Sequence, residues 1–381
     1  MTPAVESVKL VELLQRPATY GIVKAGEFQT TGIQMLRGGD IKDGKIGYGL
    51  PYVTKQKSSE FSRTVLQTGD VVIALVGYPG DSAVIPDRLV GANISRAVGL
   101  LRPGRRLLPE YLAQYLNSPV GRAEFLKPSA GSAQIVVNLA DLNKLQVPLP
   151  GLHEQRQIAE TLGDVDGLIS SLEKQVAKKR DIKQGMMQEL LTGRTRLPGF
   201  SGDWRSMKFA EMLSYQQPGR FLVSSTDYVS AGTPVLTAGK TFVLGYTTET
   251  TGIYDSPPVI IFDDFTTATK YVDFPFKAKS SAMKILRAKP GADLRFVFER
   301  MQLVDFVIVD HKRRWIGEYS KVEVDIPSTD EQRAIARVAE DADAEIAALE
   351  RRLESAHAIK HGVMQKLLTR RTRLLAKEQI A

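Results

Sequence analysis

Two aspartates and a lysine form the group of side chains in this sequence that comes nearest to an active site. Asp263 and Asp264 are adjacent and Lys270 follows them, as carboxylates and a lysine do in metal-dependent nucleases. The further carboxylate and the lysine spacing of such a cluster are missing, and residues 259–262 are all apolar. We therefore expect Asp263 and Asp264 to be turn residues at the end of a buried strand.

Other groups that could react or bind a metal are also incomplete. The run Asp255-Ser256-Pro257-Pro258 is similar to the Asp-Pro-Pro-aromatic loop of amino-methyltransferases, but it has an inserted serine and Val259 in place of the aromatic residue. His357 and His361 are one helical turn apart without a third ligand, and the chain has no cysteine. We predict no catalytic site and no metal site, with both histidines on a solvated helix face.

The overall composition favours an anionic partner. The chain has 381 residues, 43% of them hydrophobic, which is enough for two globular units. Its 51 Lys and Arg outnumber its 43 Asp and Glu, and the net charge of +8 favours a partner such as nucleic acid. No apolar run approaches the ~18 residues of a membrane span, so we expect a cytoplasmic protein that does not enter a membrane.

Polar loops in both halves of the chain carry the side chains that could contact DNA. Lysine and arginine can neutralise phosphates, whereas Gln, Asn, Thr and Arg can hydrogen-bond base edges. The alternative for each loop is an ordinary solvated turn. The candidates in the first half are Lys55, Lys57, Ser58, Tyr78, Asn93, Arg96, Lys127, Ser129 and Gln134. Those in the second half are Lys240, Tyr246, Thr247, Thr248, Thr266, Thr267, Thr269, Lys270, Lys277 and Lys279.

These loops belong to two copies of one arrangement, because the sequence repeats itself. The run Glu154-Gln155-Arg156 recurs as Glu331-Gln332-Arg333, and Leu190-Leu191-Thr192 recurs at the same separation as Leu367-Leu368-Thr369. Upstream of these segments the correspondence is faint. Such a pattern is typical of two diverged globular domains, each followed by a well-preserved segment.

Each repeated segment is predicted to be a long helix. Its apolar residues alternate steps of four and three, the pattern of a coiled-coil seam. We expect the two helices to pack on each other as an antiparallel coiled coil, with a matched stutter where both seams slip. The seam residues are Ile158, Leu162, Val165, Ile169, Leu172 and Val176, resuming at Ile182, Met186 and Leu190. In the second copy they are Ile335, Ala339, Ala342, Ile346, Leu349 and Leu353, resuming at Ile359, Val363 and Leu367.

The predicted fold class is α/β, with two mixed α/β domains that alternate with the two helices. Residues 71–76 and 259–262 are expected to be equivalent buried strands, and residues 109–116 and 293–302 equivalent helices. An antiparallel helix pair would give the chain pseudo-two-fold symmetry, which suits two separated half-sites on a duplex. The predicted boundaries are 1–152 for the first domain, 153–197 for the first helix, 198–329 for the second domain and 330–381 for the second helix.

The repeated motifs resemble those of the specificity subunits of type I restriction-modification systems. The resemblance covers nearly the whole chain, although the first domain lacks a tryptophan that corresponds to Trp204. Its most specific parts are Leu149-Pro150 before Glu154-Gln155-Arg156-Gln157-Ile158-Ala159, the copy Ile326-Pro327 before Glu331-Gln332-Arg333-Ala334-Ile335-Ala336, the segments 185–197 and 362–374, and Leu197-Pro198-Gly199-Phe200 with Asp203-Trp204.

This resemblance implies that each globular domain is a target recognition domain for one half of an asymmetric, interrupted DNA sequence. It implies a chain that does no chemistry itself and serves in defence against phage. Two modification subunits, which bind S-adenosylmethionine and methylate adenine, would dock on it, and restriction subunits driven by ATP and magnesium would join them. The docking candidates are Gln155, Arg156, Gln332 and Arg333, for which capping of the helix start is the alternative.

Two other functions stay open at the level of the residues. The chain could be a self-sufficient nuclease that uses Asp263 and Asp264, or an adaptor whose coiled coil binds proteins and whose globular domains never touch DNA.

Overall fold

Two apolar runs form buried strands, and each lies inside a four-stranded antiparallel sheet. The structure is a computed structural model that describes residues 6–127, 138–239, 241–306 and 314–368. The chain divides into two units: unit 1 comprises residues 1–173 and 352–381, and unit 2 comprises residues 174–351.

Unit 1 contains a four-stranded sheet of order β2-β10-β7-β8, a three-stranded sheet of order β6-β3-β9, and the pairs β1-β11 and β4-β5. All pairs are antiparallel except β3 with β9. The strands are β1 (Ser7–Lys9), β2 (Thr19–Tyr20), β3 (Ile33–Leu36), β4 (Ile41–Lys42), β5 (Lys45–Ile46), β6 (Tyr52–Val53), β7 (Val71–Ala74), β8 (Ser82–Val84), β9 (Asn93–Ile94), β10 (Val98–Leu101) and β11 (Gln146–Pro148). The helices are α1 (Leu10–Leu13), α2 (Lys55–Ser59), α3 (Pro109–Asn117), α4 (Pro119–Leu126), α5 (Leu139–Lys144) and the start of α6 (Leu152–Leu191).

Unit 2 repeats this plan. It has a four-stranded sheet of order β13-β19-β16-β17, a three-stranded sheet of order β15-β14-β18 and the pair β12-β20, and β14 again pairs with β18 in parallel. The predicted mixed α/β fold of both halves is confirmed. The strands are β12 (Arg205–Lys208), β13 (Leu213–Gln216), β14 (Thr233–Leu236), β15 (Val243–Thr247), β16 (Val259–Asp263), β17 (Thr269–Val272), β18 (Lys277–Ala278), β19 (Met283–Ala288) and β20 (Glu323–Ile326). The helices are α7 (Phe209–Met212), α8 (Leu294–Gln302) and the start of α9 (Thr329–Leu368).

Local sequence explains the central elements of both units. The strands β7 and β16 consist of apolar residues that are completely buried, apart from Asp263 at the end of β16. Pro109 opens α3 at a position where its missing N–H is not needed. The Asp293 side chain caps α8 by accepting a hydrogen bond from the amide of Phe296 at 2.9 Å. These strands and helices confirm the predicted ones.

The two long helices each have 40 residues, which corresponds to about 60 Å. In unit 1, Leu162 near the start of α6 shares a hydrophobic core with Met364 near the end of α9. In unit 2, Met187 near the end of α6 shares a core with Ala339 near the start of α9. The helix segments therefore pair antiparallel within each unit, as predicted.

The resumption of the seams was predicted wrongly at one residue in each helix. Ile182 and Ile359 are 50% and 56% exposed, respectively. The next buried apolar residue of α6 after Val176 is Met187, eleven positions later. Eleven residues complete three turns of an α-helix, so Met187 returns to the buried face while Ile182 points away from it. None of the helices in the described ranges is long and apolar enough to cross a membrane.

Candidate nucleic-acid interface

Three loops of unit 1 come together where strand β7 ends. The amide of Leu75 donates to the carbonyl of Ala97 at 2.8 Å. A Cβ atom at Gly38 would collide with the carbonyl oxygen of Val76, so only glycine allows these backbones to approach so closely. The first loop cluster, as we name it, consists of residues 37–39, 75–80 and 95–97.

Unit 2 has an equivalent arrangement where strand β16 ends. The amide of Asp264 donates to the carbonyl of Ala282 at 3.0 Å, and the amide of Lys279 donates to the carbonyl of Leu236 at 3.0 Å. The second loop cluster consists of residues 237–239, 264–268 and 279–282.

The first loop cluster and the adjoining strand β4 display an aromatic ring and two cations. Tyr78 is 51% exposed, and the amine of Lys42 on strand β4 lies 5.9 Å from its ring centroid. Arg96 is also exposed. Among the described residues, neither Lys42 nor Arg96 has a carboxylate within 4.0 Å. These two cations are therefore available to an anion such as a phosphate.

The second loop cluster and the adjoining strand β17 display hydroxyl groups and amines. Thr266 is exposed, and Thr267, Thr269, Lys270 and Lys279 are half-buried. In the described ranges, neither lysine has a salt-bridge partner. This unit can therefore offer both phosphate contacts and hydrogen bonds to base edges.

The two aspartates at the end of β16 have structural contacts. The Asp263 carboxylate accepts hydrogen bonds from the amides of Phe265 and Thr266 at 3.0 and 2.8 Å, so it shapes the turn. The Asp264 carboxylate is buried, pairs with Lys284 at 2.9 Å and accepts from the amide of Trp315 at 2.9 Å. Their interpretation as turn residues is confirmed.

No metal-binding group emerges from the described part of the chain, where no three His, Cys, Asp or Glu side chains are close enough to hold an ion. His357 and His361 are exposed on α9, as expected of a solvated helix face.

Asn93 and Lys277 correct the list of DNA contacts. They occupy the same position in the two three-stranded sheets and are 0% and 2% exposed. The Asn93 amide nitrogen donates to the Ser58 hydroxyl at 3.0 Å, and its oxygen accepts from the Thr64 hydroxyl at 2.7 Å. Lys277 forms an ion pair with Glu249 and donates to the carbonyl of Thr251 at 2.8 Å. Side chains enclosed in this way cannot reach a base or a phosphate.

Ser58 and Thr247 are also buried, with exposures of 5% and 6%. Ser58 accepts from Asn93, and the Thr247 hydroxyl accepts from the amide of Glu249 at 3.2 Å. Both side chains therefore hold their own loops.

The other candidates lie apart from the loop clusters or outside the described residues. Lys55 is exposed at the start of α2, and Lys57 pairs with Glu60 at 2.6 Å. Lys127 is exposed and pairs with Glu124. Tyr246 and Thr248 are half-buried and exposed, respectively, at the end of β15. Ser129, Gln134 and Lys240 lie outside the described residues.

Gln155 and Gln332 tie the start of each long helix to its own domain. Both are fully buried. The Gln155 side chain accepts from the amide of Leu108 at 2.8 Å, and the Gln332 side chain accepts from the amide of Asp293 at 2.9 Å, in each case at the start of the domain helix. These contacts favour the capping alternative over a partner interface for the glutamines.

Arg156 and Arg333 follow the buried glutamines and are exposed. Arg333 forms a salt bridge of 3.3 Å with the exposed Asp330. Both arginine side chains are therefore accessible to a partner.

Sequence reasoning missed another exposed aromatic residue in unit 1. Tyr48 is 87% exposed, and the Arg88 guanidinium lies 4.3 Å from its ring centroid. Arg88 also donates to the carbonyl of Ile46 at 2.7 Å. The signal available was the turn residues Asp43 and Gly44, which place a hairpin just before Tyr48.

Comparison with known proteins gives this arrangement a context. Residues 6–183 match the profile of the family described as the type I restriction modification DNA specificity domain. The chain is 48% identical over 141 residues to the specificity subunit of the type I restriction enzyme EcoR124I/EcoR124II of Escherichia coli, covering 35% of this chain and 34% of that protein. It is 28% identical over 198 residues to the EcoBI specificity subunit of Escherichia coli, covering 50% and 40%. The chain thus spans less than half the length of these relatives.

Two solved structures share the fold over nearly the whole chain. The S subunit of the type I restriction-modification system from M. genitalium superposes with a TM-score of 0.65 and 15% identity, covering 96% of both chains. A chain from a structure of the type I R-M system that addresses complex assembly and conformational transition gives 0.56 and 17%, covering 97% of this chain and 98% of that one. Residues 6–183 are therefore similar to the type I restriction modification DNA specificity domain, and the resemblance of the chain to the specificity subunits of these systems is confirmed.

Proposed function

We propose that this chain is the DNA-reading specificity subunit of a type I restriction-modification complex. The match of residues 6–183 to the DNA specificity family carries this proposal. The domain plan supports it, because the same sheets and loop cluster occur in both units. Each unit would read one half of an interrupted target, and the different side chains of the two loop clusters would make the halves different.

The chemistry in this proposal belongs to partner subunits. Two modification subunits would bind S-adenosylmethionine and methylate adenine, and restriction subunits would use ATP and magnesium for cleavage. The repeated helical segments would offer two equivalent docking places to the modification subunits, with Arg156 and Arg333 as exposed candidates. The chain itself would then act without a cofactor and without a catalytic residue.

Adenine-methylation mapping of genomic DNA tests this function. Cells with the chain and its partner subunits should methylate one interrupted, asymmetric motif, and deletion of this chain alone should abolish it. An unchanged methylation pattern would contradict the proposal, as would methylation or cleavage of DNA by the purified chain in the absence of partners.

A further inference from the structure

Each loop cluster displays an exposed apolar side chain at the same structural position. Leu75 and Asp264 are equivalent, because each donates its amide to an alanine carbonyl of the adjoining loop. The next residues are Val76 and Phe265, which are 52% and 40% exposed. Single exposed apolar residues are common on protein surfaces. Exposed apolar residues at the same position of two diverged domains are more significant, because exposure of an apolar side chain to water is unfavourable in each domain.

The backbone holds both side chains outward. The carbonyl of Val76 lies against Gly38, and the amide of Phe265 donates to the Asp263 carboxylate at 3.0 Å. These contacts fix the backbone of both residues. The side chains are thus presented by ordered loops.

The groups around these side chains suit a polyanion. Lys42, Arg96 and the Tyr78 ring surround the loop of Val76, whereas Lys270 and Lys279 adjoin the loop of Phe265. Three nearby carboxylates are neutralised by other cations: Asp40 pairs with Arg37 at 2.9 Å, Asp81 pairs with Arg122 at 2.5 Å, and Asp264 pairs with Lys284 at 2.9 Å. An apolar tip within a cationic rim matches a DNA groove, where phosphates flank the base edges.

We propose that Val76 and Phe265 are base-contacting residues that help to set the sequence specificity, one in each half of the target. This inference rests on the proposed function. An apolar side chain can contact the methyl group of thymine or lie against a base step. Valine and phenylalanine differ in size and shape, so equivalent positions would select different bases. Lys42, Arg96, Lys270 and Lys279 supply phosphate contacts that carry no sequence information.

The test uses the full chain with its partner subunits and compares Val76→Ala and Phe265→Ala with the parent. Each variant should relax the base preference at one position of one half-site, by about tenfold or more, and leave the other half-site unchanged. Methylation mapping reads both halves in one experiment. The matched controls are Val90→Ala in unit 1 and Tyr215→Ala in unit 2, which remove exposed side chains of 47% and 45% exposure outside the loop clusters. Both controls should preserve the motif.

Two results would overturn the inference. One is an unchanged motif in both alanine variants, which refutes base contact while the parent motif upholds the proposed function. The other is an equal loss of methylation preference at both half-sites in either alanine variant. The variants Val76→Ile and Phe265→Leu, which keep an apolar side chain, would then show the same loss. Thermal unfolding of each variant excludes misfolding as the cause. If the parent itself produced no chain-dependent motif, the proposed function would fail instead.

Discussion

Asn93 and Lys277 show how a polar residue near a candidate DNA interface can serve the fold. Each enters a short parallel strand pair and binds a neighbouring loop, Ser58 and Thr64 in one case and Glu249 in the other. A buried polar group without a partner costs free energy, so these loops and strands depend on each other. Arg96, only three residues beyond Asn93, is exposed and can act on a ligand.

Alanine substitutions of Asn93 and Arg96 should separate the effect on stability from the effect on DNA binding. Asn93→Ala removes one of two acceptors of the buried Thr64 hydroxyl and the donor to the buried Ser58 hydroxyl, and we expect a loss of about 1–3 kcal/mol in the free energy of unfolding. Arg96→Ala should change that free energy by less than about 0.5 kcal/mol and weaken DNA binding of the complex. Urea unfolding and DNA titration measure the two effects. Equal stability losses in both variants would contradict this assignment.

The ion pair of Glu249 should make part of the stability of unit 2 dependent on pH in the acidic range. The hydrogen bond from Lys277, together with that from the Ser224 amide, lowers the pKa of Glu249 to about 2. Because this folded-state pKa lies below the unfolded value of about 4.3, the contribution is complete above pH 4.3 and is lost as the pH falls towards 2. The Glu249→Gln variant should be less stable than the parent at neutral pH. Its urea midpoint should vary less with pH between about pH 2 and pH 4. A parallel pH profile in the variant would show that another group is responsible.

At the scale of elements, a polar cluster centred on an aspartate joins the long helices to α8 in unit 2 and to α3 in unit 1. In unit 2, Asp343 of α9 pairs with Lys183 of α6 at 2.6 Å and with Arg295 of α8. In unit 1, Asp166 of α6 pairs with Lys360 of α9 at 2.6 Å and accepts from Gln114 of α3 at 2.8 Å. The repeated helices thus keep the same aspartate and lysine while the residue from the domain helix differs.

Replacing these aspartates by asparagine should destabilise unit 2 more than unit 1. Asp343→Asn leaves Lys183 and the 12% exposed Arg295 with Glu299 as their shared carboxylate, and we expect a loss of about 1–2 kcal/mol. Asp166→Asn should cost less, since it faces one cation and a neutral amide. The control is Asp330→Asn, whose 83% exposed carboxylate pairs with Arg333. Urea unfolding measures all three, and a larger effect for Asp330→Asn than for Asp343→Asn would refute this ranking.

At the scale of the whole molecule, each domain enters and leaves through one antiparallel strand pair. β1 pairs with β11, and β12 pairs with β20, immediately before the start of a long helix. A domain whose two ends are hydrogen-bonded to each other can be exchanged without disturbing the helix that follows. This arrangement suits independent variation of the two halves.

A chain with residues 198–329 in place of residues 1–152 tests that independence. The complex that this chain forms with its partner subunits should methylate a target in which both half-sites are the one read by unit 2 in the parent. Gln155 stays in place in this exchange. Its counterpart Gln332 accepts from the amide of Asp293 in the transferred domain, as Gln155 accepts from the amide of Leu108 in the domain that is replaced. Retention of the original asymmetric motif would contradict the assignment of one half-site to each unit.

The sequence by itself determined the repeat, the mixed α/β class, the buried strands β7 and β16 and the long helices. These features depend on residue types and spacings along a single stretch of chain, and periodicity reports them directly. The seam shows the limit of this periodicity, because Ile182 fits a shorter step than the eleven residues between the buried Val176 and Met187 of α6.

Only the tertiary structure decided which polar loop residues face solvent. Asn93 is buried by a segment about 30 residues earlier in the chain, and Lys277 by the similarly distant Glu249. Gln155 and Gln332 bind helix starts almost 50 and 40 residues away. Burial of a side chain is a property of the segments that meet around it, and those meetings depend on loop geometry that residue type alone does not specify. For the same reason, the equivalence of Val76 and Phe265 emerges only from the hydrogen bonds of the two folded loop clusters.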